Sequence, residues 1–256
     1  MNMSSEAKPS EADQAQKPAL VMLHGFALDS RMWRRQVEAF SPDYRILTLD
    51  LPGFGPQARE LGEVDAAEGV LRALNAAKID RAHFVANSYG AAVATDFALQ
   101  HPKRVRSLTL SGPLLLGRRT GIEAWARCVA LASEGDKATA AEIWLDDPLF
   151  EGLRNDEELF EELRQIVLDY GGGHWTGRVS AKWSDPDPVP NLRKLDVPAL
   201  VISGEMDIPS FMMMAEAYAR SLPRARREIV QAAGHLANIE KPLEWNALLR
   251  EFLENA

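Results

Sequence analysis

The sequence is poor in cysteine and has no long apolar run. Cys128 is the only cysteine in 256 residues, which excludes an intrachain disulfide framework and any cysteine-rich metal site. Its thiol is expected to act as a small buried hydrophobe. No apolar stretch approaches the roughly 18 residues a membrane span needs, so no membrane partner is expected. Cations are the minority: 29 Lys and Arg against 37 Asp and Glu leave a net charge of −8. Binding a polyanion needs clustered cations, so nucleic acid is not an expected partner either. Residues 1–17 are polar, rich in Ala, Glu, Gln and Ser, and lack the apolar segment of a secretory signal. They are expected to form a disordered tail on a cytoplasmic protein, a monomer or homodimer.

What is present is an ordinary globular composition, 46% hydrophobic and 26% charged, on a chain long enough to bury a full core in one domain. From Pro18 onward, short apolar runs alternate with amphipathic stretches. Ala19 to Leu23, Arg45 to Leu49, His83 to Ala86, Val105 to Leu110 and Ala199 to Ile202 read as strands, with Arg227 to Val230 as a shorter, more exposed one. Continuous apolar strands point to a sheet covered on both faces. Asp65 to Ala77, Ala91 to Gln100 and Leu243 to Leu253 read as helices between or after them. In the last, Leu243, Leu248, Leu249 and Phe252 are expected to face the core, and Met212-Met213-Met214 is expected to pack inward from a helix face. The pattern is that of an α/β fold with a mostly parallel central sheet and helices on both faces.

The alternation breaks between Pro113 and Pro190. Gly121 to Ala132, Lys137 to Trp144 and Asp156 to Tyr170 read as helices, and Gly171-Gly172-Gly173 stops the third. Residues 113–190 are therefore expected to form a helical cap, inserted after the strand ending near Leu110, over a core made of 18–112 and 191–256. Such a cap covers the carboxyl ends of the strands, where α/β sheets bind ligands. Four of the six tryptophans (Trp125, Trp144, Trp175 and Trp183) fall in it. Two or more of these should be cap core, with Trp125, Trp144 and Trp175 the candidates for substrate contact.

The chemistry centres on Ala86-Asn87-Ser88-Tyr89-Gly90, where a strand gives way to a helix. A serine on such a turn lifts its hydroxyl above the sheet edge, and small flanking residues let the turn close. The pattern is usually written G-x-S-x-G, and Ala86 stands in the first glycine position. By itself the pentapeptide fits a helix N-cap serine equally well. A serine hydroxyl needs a base within hydrogen-bond reach, and a base that is neutral until it takes the proton is a histidine. His235 lies between the last strand and the last helix, and Asp207 lies in the turn after Ala199 to Ile202. A carboxylate there would fix the imidazole tautomer. Glu205, two residues earlier, is the alternative acid. His24-Gly25-Phe26 ends the first strand, so that the main-chain N–H groups of Phe26 and Tyr89 could hold a developing oxyanion. His24 is expected to order that loop rather than move a proton. His83, His101 and His174 are expected to be structural or exposed.

These motifs, with Asp50-Leu51-Pro52-Gly53-Phe54-Gly55, Ser203-Gly204-Glu205-Met206-Asp207 and Ala233-Gly234-His235-Leu236-Ala237-Asn238-Ile239-Glu240-Lys241-Pro242, resemble α/β-hydrolase-fold hydrolases. The similarity is greatest to small esterases and the 3-oxoadipate enol-lactonase group, and it runs from about Pro18 to the end. It departs at Ala91, where the family often has a second glycine, and at Pro56-Gln57, which could reshape one wall of the cleft. The resemblance implies a triad of Ser88, His235 and Asp207, no cofactor and no metal, and a small-molecule ester or lactone as partner. Ser88 counts against haloalkane dehalogenase and epoxide hydrolase relatives, which use an aspartate there. The expected function is cleavage of a carboxylic ester of a small to medium, largely apolar substrate through an acyl-serine intermediate. Lactonase or carbon–carbon bond hydrolase chemistry on the same triad is the alternative, and a slowly turning-over ligand receptor is a further one.

Overall fold

The computed structural model describes residues 16–55, 58 and 61–256. The expected disordered tail, as far as residue 15, and the Pro56-Gln57 departure lie outside the described residues. Among the described residues there are eight strands: β1 (Ala19–Leu23), β2 (Arg45–Leu49), β3 (Gly62–Asp65), β4 (Ala82–Asn87), β5 (Val105–Ser111), β6 (Val179–Lys182), β7 (Ala199–Gly204) and β8 (Ala225–Val230). Six form one sheet in the order β2-β1-β4-β5-β7-β8, and every neighbouring pair in it is parallel. Burial follows from that order. Every residue of β1, β4 and β7 is buried, whereas the edge strand β2 is half-buried throughout. Each fully buried Val, Leu or Ile in such strands contributes about 1.5–3 kcal/mol over an exposed one.

The longer α-helices among the described residues are α1 (Arg34–Phe40), α2 (Ala66–Ala76), α3 (Tyr89–Gln100), α4 (Trp125–Ser133), α5 (Lys137–Leu145), α6 (Glu157–Asp169), α7 (Pro209–Ser221) and α8 (Pro242–Glu254). Helix α3 is buried from Tyr89 to Ala98, as its small side chains suggest. Two expectations about helix faces are corrected. Leu243 is 86% exposed, because α8 starts at Pro242 and its buried stripe is Trp245, Leu249, Phe252 and Leu253. The three consecutive methionines cannot share a face at 100° per residue: Met214 is buried while Met213 is 64% exposed.

The strands run parallel in register, Leu23 beside Ala86, Asn87 beside Ser111 and Ser111 beside Ile202. Their carboxyl ends therefore finish at one edge. Strand order reverses at β1 and β4, a switch point where α/β sheets leave a crevice for ligand.

Helices α4 to α6 and strand β6 all lie in the insertion between β5 and β7. Several contacts fasten it to the core. Strand β6 pairs with β3 as a separate two-stranded parallel sheet, which the short, half-polar sequences did not signal. The Asp96 carboxylate, buried on α3, accepts from the Ser184 amide at 3.1 Å and from its hydroxyl. Arg31 bridges Asp29 and Asp169 at 2.6 and 2.8 Å. Glu240 packs where a side chain on Gly152 would be.

Candidate active site

Strand β4 delivers Ser88 to the first turn of α3 with φ 51° and ψ −114°, a backbone conformation that costs a non-glycine residue of the order of 1–3 kcal/mol. The surroundings enforce it. A Cβ on Gly90 would lie 2.5 Å from the Leu23 carbonyl oxygen and 2.6 Å from that of His24, so only glycine lets α3 cross β1 this closely. The Ser88 side chain makes no capping bond to α3. The helix N-cap alternative is therefore set aside: the hydroxyl is displayed, not spent on the backbone.

His235 and Asp207 meet as the spacing suggested. The ring Nδ1 stands 3.1 Å from Oδ1 and 3.0 Å from Oδ2 of Asp207, and both side chains are buried. Asp207 Oδ1 also accepts from the Ile208 amide at 2.8 Å. Glu205 faces elsewhere and accepts from the Ala232 amide at 3.0 Å, so geometry separates the two acids. Phe211 on α7 packs edge-on against the imidazole with ring centroids 4.4 Å apart. A Cβ on Gly112 would come within 3.0 Å of Nδ1. With Nδ1 held by Asp207, Nε2 is the nitrogen left for a serine proton. Ser88 and His235 line one small cleft, although no hydrogen bond joins them in this resting geometry. Such contacts often tighten only when substrate is bound.

Neither the Phe26 nor the Tyr89 main-chain N–H has a protein acceptor among the described residues. Tyr89 is the first residue of α3, where the helix leaves its N–H groups unpaired. His24 is occupied on both sides: Nδ1–H donates to the Gly25 carbonyl and Nε2 accepts from the Leu51 amide, each at 2.8 Å. It ties the β1 turn to the Asp50–Gly55 turn and has no nitrogen free for proton transfer.

Burial lowers the pKa of His24, and burial with the Arg106 and Arg81 charges takes His83 down to about 4. Both histidines are thus uncharged in the fold, whereas an unfolded histidine titrates near about 6.5. Below that pH the unfolded chain binds more protons than the folded one, so stability falls as pH drops from about 6.5 toward 4. Thermal unfolding midpoints should decline across that window, and His83→Gln should flatten the decline.

A cavity of about 480 Å³ opens over Ser88. Phe26, Tyr89, Trp125, Trp144, Trp183 and Phe211 give it an aromatic wall, and Leu114, Leu116, Ile122, Val179 and Ala181 add aliphatic surface. Thr120, His174 and Ser180 are its uncharged polar or titratable members beside Ser88. No Lys, Arg, Asp or Glu is among its described lining residues. Trp125 and Trp144 stand where expected. Trp175 does not: it is buried in the insertion against Tyr170 and Trp144, at centroid distances of 4.9 and 5.8 Å, off the cavity wall. His174, expected to be exposed, is half-buried, lines the cavity and stacks on Phe54 at 4.4 Å. Trp183 and Phe211 were not singled out as cavity residues. Their only signal was an aromatic ring beside the insertion's end or just after the Asp207 turn.

The family model described as alpha/beta hydrolase fold matches residues 18–242. The chain belongs to the α/β-hydrolase-fold family. A 2-hydroxy-6-oxononadienedioate/2-hydroxy-6-oxononatrienedioate hydrolase of Paraburkholderia phymatum is 30% identical, over 93% of this chain and 88% of that protein. The 3-oxoadipate enol-lactonase 1 of Acinetobacter baylyi is 25% identical, over 93% and 89%. Among solved structures, a thermophilic esterase from Thermogutta terrifontis superposes with a TM-score of 0.78 at 26% identity, over 93% of this chain and 90% of that one. No helix among the described residues is long and apolar enough to cross a membrane.

One further residue of this α/β-hydrolase-fold chain holds the histidine loop. Glu240 accepts from the Gly234 amide through Oε2 at 2.6 Å and from the Leu236 amide through Oε1 at 3.1 Å, bracketing His235. Burial raises its pKa, and the two amide bonds oppose that. Glutamine offers one acceptor where two are needed and would turn an NH₂ toward a backbone N–H. Glu240→Gln should cost about 1–3 kcal/mol in denaturant unfolding, and initial rates should show kcat lowered with KM little changed.

Proposed function

We propose that this protein is a serine hydrolase that cleaves a carboxylic ester of a small to medium, largely apolar substrate. Ser88 Oγ attacks the ester carbonyl carbon while His235 Nε2 takes its proton, and Asp207 keeps Nδ1–H in place and balances the imidazolium. The Phe26 and Tyr89 amides receive the oxyanion, each such donor being worth about 2.7–4 kcal/mol of barrier. The tetrahedral intermediate collapses, the alcohol leaves with the Nε2 proton, and water attacks the acyl-serine with the same base to release the acid.

The observation that carries this reading is the strained Ser88 turn sharing a cleft with an Asp207-bound histidine. The cavity lining favours one class of substrate. The Paraburkholderia relative acts, by its name, on a dicarboxylate. Two substrate carboxylates call for cationic partners, and this cavity has no Lys or Arg among its described lining residues. An uncharged ester fits better. Ethyl esters from acetate to dodecanoate, followed by acid release and run beside simple lactones, are expected to show an optimum at medium acyl length. Turnover of lactones or of 1,3-diketone-type substrates without turnover of any ester would overturn the proposal.

A further inference from the structure

Ser88 faces two unequal spaces. The large cavity holds about 480 Å³; the second holds about 20 Å³. Phe26, Ile122 and Trp144 belong to both and so form the partition between them. The small space is closed by Gly25, Leu28, Asn87, Leu149, Phe150 and Leu236, and it is the one that His235 lines. His235 does not line the large cavity; Phe211, edge-on to its ring, stands at that wall instead.

This asymmetry assigns the two halves of an ester. After attack, the proton on His235 must pass to the alkoxide oxygen, so the leaving alcohol has to lie on the histidine's side of Ser88. That side is the small space, and a single water needs about 10–15 Å³, so there is room for little more than a methyl group. The acyl chain then occupies the large apolar cavity. Resting on the serine-hydrolase reading above, we propose that the protein is selective for esters of a bulky apolar acid with a methanol-sized alcohol. Once methanol departs, the vacated space takes one water beside the imidazole, placed to attack the acyl-serine. The methyl ester and one water yield the free acid and methanol, with Ser88 and His235 returned to their starting protonation.

Methyl octanoate and heptyl acetate are isomers with unactivated alkoxide leaving groups, differing only in which side of the carbonyl is large. Methyl octanoate should have the higher kcat/KM by about 100-fold or more, since each displaced methylene already costs about 10-fold or more. Along methyl, ethyl and butyl octanoate the value should fall steadily. Leu149→Ala widens only the small space and should raise the butyl-to-methyl ratio about 10-fold, a ratio that the amount of folded variant does not affect. Equal rates, or faster heptyl acetate, with Ser88 still labelled by a fluorophosphonate, would overturn the assignment and leave the serine-hydrolase reading standing. An unchanged ratio in Leu149→Ala would also overturn it. No turnover of either isomer together with no labelling of Ser88 would remove the underlying reading and this proposal with it.

Discussion

Ser88→Ala is expected to lower ester turnover by about 10⁵–10⁶-fold, by analogy with serine nucleophile removal in other triad hydrolases, and to abolish labelling by a fluorophosphonate. The size of the effect follows from what the side chain does in the proposed mechanism. Without Oγ there is no acyl intermediate, and the oxyanion amides and His235 can only assist direct attack by water. The fold should survive, because the hydroxyl makes no capping bond to α3 and alanine is smaller. Unfolding curves run beside the rates separate loss of chemistry from loss of structure. Ester turnover persisting in the alanine variant within 10-fold of the parent would refute the proposed mechanism.

The parts of the site that were legible in the sequence are those where the backbone leaves few choices. Gly90 is written into the sequence because carbonyl oxygens of β1 fill the place of its side chain. Ser88, Asp207 and His235 could be placed because each follows a strand of one sheet, apolar for the first two and more polar for β8, and parallel pairing then carries those strand ends together. The insertion obeys a weaker code. Helical spacing shows which residues of α6 are buried, yet both the cavity and the insertion's own core are apolar, so hydrophobicity cannot say which one a tryptophan meets. His174 and Trp175 are adjacent and part company, the histidine onto Phe54 at the cavity and the tryptophan against Tyr170. Strands β3 and β6 were missed for a related reason. Each has only four residues: β3 has no buried face, and in β6 the alternation of buried Val179, exposed Ser180, half-buried Ala181 and exposed Lys182 is too short to stand out.

The relatives are named for several reactions. In the proposed mechanism, chemistry at Ser88 is set by turns that tolerate almost no side chain, whereas substrate choice is set by insertion residues that need only be apolar and fit. An exchange of apolar for charged residues on that wall would change the ligand without touching the triad. The described lining here carries no Lys, Arg, Asp or Glu, whereas two relatives at 30% and 31% identity are named for dicarboxylates.

Asp207→Asn is the second large effect, an expected fall in kcat of about 10⁴-fold with the fold retained. The cause is a donor placed where an acceptor is required. Oδ1 of Asp207 is already fixed by the Ile208 amide at 2.8 Å. An asparagine would keep its carbonyl oxygen on that amide and put its NH₂ in the position of Oδ2, 3.0 Å from His235 Nδ1. The carbonyl oxygen, although 3.1 Å from Nδ1, is already engaged by the Ile208 amide. The NH₂ would donate to an unprotonated Nδ1, so the favoured tautomer would carry its proton on Nε2, the nitrogen meant to receive the serine proton. The ring would stay in place, packed by Phe211 and Gly112, but as the wrong tautomer. Glu205→Gln is the matched comparison: Glu205 bonds only the Ala232 amide on the surface side of the turn and should lose less than about threefold in kcat, an effect of under 1 kcal/mol. Comparable losses in the two variants would return the acid's assignment to either residue, and a loss below 10-fold in Asp207→Asn would remove it from the mechanism.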